Sequence, residues 1–448
     1  MHFIMAHCFS RMHCRTNLGA ALRGSRLGSF PNRTPRPWQN AASSTTRQYG
    51  SLRDVFIADG ARTPIGSFCG SLADVPAPQL AAEAISAALG RARVEPGEVD
   101  AIVFGQALPS GCGQNPVRQA ALLAEIPEVV DCTGINKACA SGLKAITVAA
   151  QAIALGHADV IVAGGMESMS RAPYLMKQAR FGGYQYGHGR LEDSALQDGL
   201  WDVANDCHMG VLAETIAQEL GITRQDQDIY TRVSYERAAE AWQRGAMDKE
   251  VTPIRLRQPR RHDPMTPATL AIGTDEEYSR LKIDTIASLR PVFREDGTII
   301  AASASSLNDG AAAVVLISGE SARELGIATN ARILSYSDHA MQSVDFAKAA
   351  SGAVKRAMHL AKLSHVDFHE THEAFAVSAL TTMQLLDLDI SRVNLNGGAV
   401  ALGHPLGASG ARLMCSIMNV LEQQGATTGC ASIANGGGGA TAVVIERD

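Results

Sequence analysis

Short apolar runs that end at glycine alternate along this chain with Ala- and Leu-rich stretches of helical spacing. Residues 53–58 read as a strand closed by a turn at Gly60, and residues 79–92 as an Ala-rich helix. Residues 99–105 are a short apolar strand, 129–136 lead into a second, 141–155 carry a helix, and 158–165 form another buried strand. Strands alternating with helices predict an α/β fold with a mostly parallel sheet and helices packed on its faces. From about 169 to 296 this rhythm breaks. Charge, Tyr, Gln and Met increase, helices are expected at 211–220 and 229–245, and 251–275 holds four prolines with an Arg-rich patch. This reads as an inserted, loop-rich region. After 297 the alternation returns, with a strand at 311–317, helices at 346–362, 372–386 and 409–424, and strands at 427–434 and 440–446.

The late part echoes the early part. Cys139-Ala140-Ser141-Gly142 opens the helix 141–155, and Gly407-Ala408-Ser409-Gly410 opens the helix 409–424. Each helix is followed by a turn, a short apolar strand and glycines, Gly164-Gly165 in one case and Gly436 to Gly439 in the other. The matching order of elements predicts two similar α/β halves.

Residues 1–50 stand apart. They hold Arg11, Arg15, Arg23, Arg26, Arg33, Arg36 and Arg47, no Lys and no acid, with frequent Ser and Thr. That composition is expected of an organelle transit peptide, mitochondrial before plastid; a basic tail that binds something acidic is the alternative. Without this segment the chain carries 33 basic and 45 acidic residues, a net −12. The whole chain, at −5, has no basic field to draw in nucleic acid or an anionic membrane. No uninterrupted apolar run reaches transmembrane length. At 46% hydrophobic and 19% charged, the composition excludes a wholly disordered, collagen-like or coiled-coil chain. The nine cysteines form no CxxC pair, and seven lie after residue 50, which argues against a zinc site or a disulfide framework.

Four segments can carry chemistry. Cys139 sits at a strand-to-helix turn, where the helix macrodipole and free N–H groups favour thiolate; a buried structural thiol is the alternative. His404, between Gly403 and Pro405, is placed to act as a general base or to donate to an oxyanion, unless it is a cap or a loop residue. His372 would start a helix and polarise a carbonyl, oriented by Glu373, unless it is a structural histidine. The N–H groups after Ala434 and Asn435, from Gly436 to Gly439, could form an oxyanion hole or merely a tight turn.

Taken together, these segments resemble the thiolase family. The resemblance spans 52–448 and rests on NKACASGLKA (136–145), GGMESMS (164–170), SLNDGAAA (306–313), NGGAVALGHPLGASGAR (396–412) and NGGGGA (435–440). It implies a five-layer sandwich of two βαβαβαββ halves. The implied boundaries are a leader at 1–50, an N-terminal half at 51–168 completed by 297–320, a CoA-binding loop domain at 169–296 and a C-terminal half at 321–448. It implies acetyl transfer through acyl-Cys139, with His404 as base and an oxyanion hole from the N–H groups of Cys139 and Gly436. His372 takes the place of the family's usual Asn, which the long-chain trifunctional-type members also do. CoA and its thioesters are the implied partners, near Tyr235, Arg280, Ser305, His208, Met209 and Phe346. A potassium site would draw on Tyr235, Ala301, Ala302, Ala304 and Val400, and no other cofactor is required. The resemblance also implies a homotetramer or homodimer in the mitochondrial matrix.

One departure stands out. The family places a second catalytic cysteine, the acid/base for the α-proton, where this chain has Ala434. Cys430 lies four strand residues away, about 13 Å at ~3.3 Å per residue, outside proton-transfer reach. Acyl loading on Cys139 is therefore expected to survive and the carbon–carbon step to be weakened. Two other readings remain at this point. One is decarboxylative ketoacyl-synthase-like or thioesterase chemistry through Cys139, His372 and His404. The other is a retired, CoA-binding relative.

Overall fold

A computed structural model describes residues 52–257 and 269–448. The expected leader at 1–50, and the part of the proline- and Arg-rich stretch between 258 and 268, lie outside the described residues.

The first half comprises β1 (Val55–Arg62), α1 (Ala77–Ala92), β2 (Ala101–Gly105), α2 (Pro116–Leu123), β3 (Asp131–Ile135), α3 (Ser141–Ala154) and β4 (Val160–Ser168). Helices α4 (Met209–Leu220) and α5 (Arg224–Gln243) belong to the intervening region, which adds no strand to the main sheet among the described residues. Strand β5 (Asn308–Ser318) returns to the first half. The second half comprises β6 (Ala331–Ala340), α6 (Phe346–Ala361), β7 (Phe368–Thr371), α7 (Ala376–Leu386), α8 (Leu406–Gln424), β8 (Thr428–Asn435) and β9 (Gly439–Arg447).

The strands run in the order β7-β8-β9-β6-β1-β5-β4-β2-β3, and the two-residue strand Gly66–Ser67 pairs beside β5. A short antiparallel contact, Phe56 with Arg332 and Ile57 with Ala331, joins the two halves. The expectation of a mostly parallel sheet is corrected here. Only β2–β3, β2–β4 and β7–β8 pair in parallel, and every pairing between β8 and β4 through the centre is antiparallel. Each half places its parallel crossovers at its outer edge, and its later strands return antiparallel to fill the middle.

Three apolar cores separate the layers. Helices α1 and α2 pack Leu80, Ile85 and Ala120 onto Ile102, Val162 and Val315. Helices α3 and α8 lie between the two halves, with Ile146, Leu413 and Ile417 against Ile161, Val314 and Val443. Helices α4, α6 and α7 cover the far side, with Ile216, Val354 and Val377 against Cys430, Ala442 and Val444. Helix, sheet, helix, sheet, helix is a five-layer order. It explains the unbroken apolar strands: Val160 and Val162 face one core while Ile161 and Ala163 face the other. A strand covered on both faces has no polar side to show.

In the central layer α3 and α8 touch backbone to backbone. A Cβ on Gly142 would lie 2.7 Å from the Gly407 oxygen, one on Gly165 would lie 2.0 Å from the same atom, and one on Gly410 would lie 2.4 Å from Leu143 N. Glycine is required there because real Cβ atoms do not approach so closely. The inserted region is pinned to β1 by Arg62, which is buried and bridges Glu250 at 2.6 Å and Asp275 at 2.7 Å.

Candidate active site

Cys139 precedes α3 on a turn whose geometry is set residue by residue. Ala138 adopts φ +46°, a left-handed conformation that costs an alanine energy. Three hydrogen bonds hold it there. Ala138 N donates to Asn136 Oδ1 (2.9 Å), Ser141 Oγ donates to Ala138 O (2.6 Å), and Lys137 N donates to Ser141 Oγ (2.8 Å). The Lys137 ammonium reaches across to the second half, donating to Asp338 Oδ1 (2.6 Å), Thr441 Oγ1 (2.8 Å) and Ala440 O (3.0 Å). Lys144 takes the other Asp338 oxygen at 2.6 Å. The two lysines hold the Asp338 carboxyl down at about 2, against the opposing effect of burial. The nucleophile turn is therefore clamped to both halves.

The Cys139 sulfur faces the backbone N–H groups of Gly436 and of Cys139 itself. The expected thiolate is corrected. Burial pushes the thiol up to about 11, outweighing those two N–H groups, with Glu167 pushing the same way. Desolvation penalises the charged form more than one helix end can repay. The resting group is a neutral thiol, so a base must take its proton.

His404, the expected base, is held by its own neighbours. Its backbone is fixed by Gly403 at φ +100°, where a Cβ would sit 2.5 Å from the Asn308 amide, and by His404 N donating to Asn308 Oδ1 at 2.8 Å. His404 Nδ1 lies 2.6 Å from Ser409 Oγ, whose single proton goes to Pro405 O at 3.1 Å. A hydroxyl that has spent its proton can only accept, which assigns the proton of His404 to Nδ1 and leaves Nε2 a bare acceptor. Nε2 has no hydrogen-bond partner among the described residues. Burial, then Arg412, holds the imidazole down at about 3, so it is neutral and able to accept a proton.

His372 lies beside it, with ring centroids 4.1 Å apart and planes tilted by 53°. Neither ring nitrogen has a partner among the described residues, although the residue is buried. The expectation that His372 starts a helix is corrected: it follows β7 directly, and α7 begins at Ala376. Its backbone N–H donates to Ser432 O at 2.9 Å, which continues the register of β7 on β8. Glu373 does not orient the imidazole. Its carboxylate accepts from Tyr230, Ser234, Asn394 and the Val400 N–H at 2.7–3.0 Å, and so holds the loop that leads to His404.

Strand β8 brings the remaining groups. Ala434 lies in an apolar wall with Met209, Phe346 and Phe375, and offers only a methyl group. Gly436 follows, with Met209 Sδ 3.8 Å from where its Cβ would be. His208 caps α4 by accepting from Gly210 N at 3.0 Å and stacks on Phe293 at 4.9 Å. Phe293 meets Phe375 edge-on at 5.7 Å, and Phe346 meets the same ring at 6.4 Å. His208, Met209 and Phe346 thus line one side with Ala434. Ser305 donates from both its N and its Oγ to Ala374 O, at 3.0 and 2.9 Å. Tyr235 and Val400 share a small core, whereas Ala302 and Ala304 pack in two others, with Ala301 at the start of the same turn. Arg280 is exposed, 3.6 Å from Glu277.

Three positioning residues went unread in the sequence. Asn308 and Ser409 hold His404 as described. Glu167 accepts from the N–H groups of Ala107, Leu108 and Gly407 at 2.9, 3.2 and 2.9 Å, and burial raises its carboxyl to about 7. All three lie inside the glycine-rich motifs, but motif membership does not reveal which atom each one holds.

Known proteins resemble this chain along most of its length. The thiolase N-terminal domain matches residues 55–320 and the thiolase C-terminal domain residues 327–447. Acetyl-CoA acetyltransferase 2 of Arabidopsis thaliana is 47% identical over 88% of this chain and 97% of its own length. The mitochondrial acetyl-CoA acetyltransferase of Rattus norvegicus is 45% identical over 90% of this chain and 93% of its own. Among solved structures, the Acat5 thiolase of Ascaris suum in complex with coenzyme A superposes with a TM-score of 0.82 at 38% identity, covering 88% of this chain and all of that one. The Bacillus anthracis acetyl-CoA acetyltransferase gives 0.85 at 36%, covering 89% and all of its chain. The two domain matches, over 55–320 and 327–447, with relatives 45% and 47% identical along most of the chain, place this chain in the thiolase family.

Proposed function

We propose that this protein is an acetyl-CoA C-acetyltransferase that works through acetyl-Cys139, joining two acetyl-CoA or cleaving acetoacetyl-CoA with CoA. The observation that carries this reading is the Cys139 thiol facing the Gly436 N–H, with a neutral His404 whose Nε2 is bare. His404 Nε2 takes the thiol proton as the sulfur attacks the thioester carbonyl. The N–H groups of Gly436 and Cys139 receive the oxyanion. CoA leaves with the proton from His404, and the acetyl group stays on sulfur. The relatives named above carry acyl-transfer names, and none points to decarboxylation, thioester hydrolysis or a retired site.

The region 169–296 and its neighbours would receive CoA, with Tyr235, Arg280 and Ser305 toward the nucleotide side and His208, Met209 and Phe346 toward the thioester. A potassium ion would draw on Tyr235, Ala301, Ala302, Ala304 and Val400. Burial, and then Glu277 and Glu373, drive the Tyr235 phenol pKa up, and of these causes the two carboxylates would favour a cation. Bound there, it would supply a fixed positive charge to the CoA side of the pocket. The acid-free leader supports import into the mitochondrial matrix, and the protein would act as a homotetramer or homodimer.

The test incubates the protein with acetyl-CoA and weighs it. One acetyl group on Cys139, together with acetoacetyl-CoA cleavage that is lost in Cys139→Ala, supports the reading. No acetylated Cys139 and no cleavage overturns it.

A further inference from the structure

The acetyl transfer above accounts for one proton, the one that leaves the Cys139 sulfur, and His404 carries it. Joining two acetyl groups moves a second proton, from the methyl carbon of the incoming acetyl-CoA. That step needs its own base, because a carbon acid does not ionise unaided at a useful rate. The apolar wall around Ala434 cannot supply one: Ala434, Met209, Phe346 and Phe375 have no group that accepts a proton. Cys430 lies further along β8, fully buried in that core. Glu373 is consumed by four donors, and Glu167 by three backbone N–H groups.

Among the described residues, His208 spends Nδ1 on capping α4 and stacks on Phe293, and His372 remains with neither ring nitrogen in use. His372 is 4% exposed, both of its ring nitrogens lack a partner among the described residues, and its ring lies 4.1 Å from that of His404. A buried polar group without a partner is costly, so a fold that keeps two on one ring calls for an explanation. We propose that His372 is the acid/base for the α-carbon, taking the methyl proton of the second acetyl-CoA in place of a side chain at position 434. The inference rests on the acetyltransferase reading above.

The step balances. A ring nitrogen of His372 takes one proton from the acetyl-CoA methyl carbon, and the electron pair left on carbon attacks the carbonyl of acetyl-Cys139. The new carbon–carbon bond forms, and the oxyanion rests on the N–H groups of Gly436 and Cys139. The carbon–sulfur bond to Cys139 then breaks, and the proton held by His372 returns to that sulfur, restoring the thiol. In thiolysis the same histidine gives its proton to the departing carbanion. Burial, then the neighbouring His404 and Arg412, keeps His372 neutral in the resting enzyme, which suits it to start as the base.

The experiment separates the two half-reactions in the full chain. Deuterium entry into the methyl group of acetyl-CoA in D2O reads the α-proton step, and acetylation of Cys139 by mass reads acyl loading. His372→Asn and His372→Gln should lower deuterium entry and acetoacetyl-CoA formation by about 10²–10⁴-fold, with Cys139 acetylated within about threefold of the parent rate. Retained acetylation also proves that the variants are folded. Placing a thiol on the same wall, Ala434→Cys in the His372→Asn background, should restore much of the exchange. Exchange in both His372 variants within about twofold of the parent overturns the inference while leaving the acetyltransferase reading intact. So does a loss of acetylation as large as the loss of exchange, which would assign His372 to acyl loading. A parent protein that never acetylates Cys139 overturns the underlying reading itself.

Discussion

The two halves use the same turn for opposite purposes. Before α3 the turn presents the Cys139 thiol. In the first turn of α8 the matching position is Gly407, which has no side chain and whose carbonyl lies against Gly142 and Gly165. Three residues upstream the roles reverse. Asn136 is bound up in its own turn, accepting from Ala138 N and donating to Ala107 O, while His404 offers a free Nε2. The duplication supplied two scaffolds, and each keeps what the other gives up. One presents a thiol and the other an imidazole. The glycine at the second turn is what lets the two helix ends come close enough to work on one substrate.

This asymmetry can be attacked directly. Cys139→Ala should lower thiolysis of acetoacetyl-CoA by at least about 10³-fold, measured by loss of substrate absorbance, because no second thiol stands at the Gly407 turn. Gly165→Ala should destabilise the protein by about 3 kcal/mol in urea unfolding, since its Cβ would lie 2.0 Å from the Gly407 oxygen. An unchanged midpoint would mean that β4 does not meet the start of α8. Iodoacetamide labelling of Cys139 without substrate should rise about tenfold per pH unit from neutrality. The thiolate fraction grows with pH until the group's own value of about 11. Cys415 and Cys430, buried and pushed up to about 12, should stay unlabelled. A labelling plateau near pH 7 would restore the thiolate that the turn alone suggests. Ser409→Ala should lower kcat by about tenfold with little change in KM, because the imidazole loses the acceptor that fixes its tautomer.

Much of this site was legible in the sequence, for a physical reason. Close backbone approach demands glycine, and glycine leaves a visible mark around Cys139, His404 and Gly436. Strands covered on both faces read as apolar runs, so β2, β4, β5, β8 and β9 were found. The strand β6 was missed because it is only half buried, and β7 because its buried residues are His, Glu and Thr. Strand direction was misread because the partners of β1 are β5 and β6, some 250 residues away, and no local pattern encodes that pairing. The helix expected at 372 was an extension of α7 across residues that continue β7. The thiolate was misjudged because a turn reveals a dipole, while burial depends on the whole fold.

The clamp from Lys137 to Asp338 and Thr441 has a consequence for how the protein is made. Synthesis proceeds from the N-terminus, and Cys139 leaves the ribosome long before Asp338, His404, Gly436 or Thr441 exist. Until those residues arrive, the thiol has no base, no oxyanion donor and no tether for its turn. The arrangement around Cys139 is thus complete only when the last two strands close the second half.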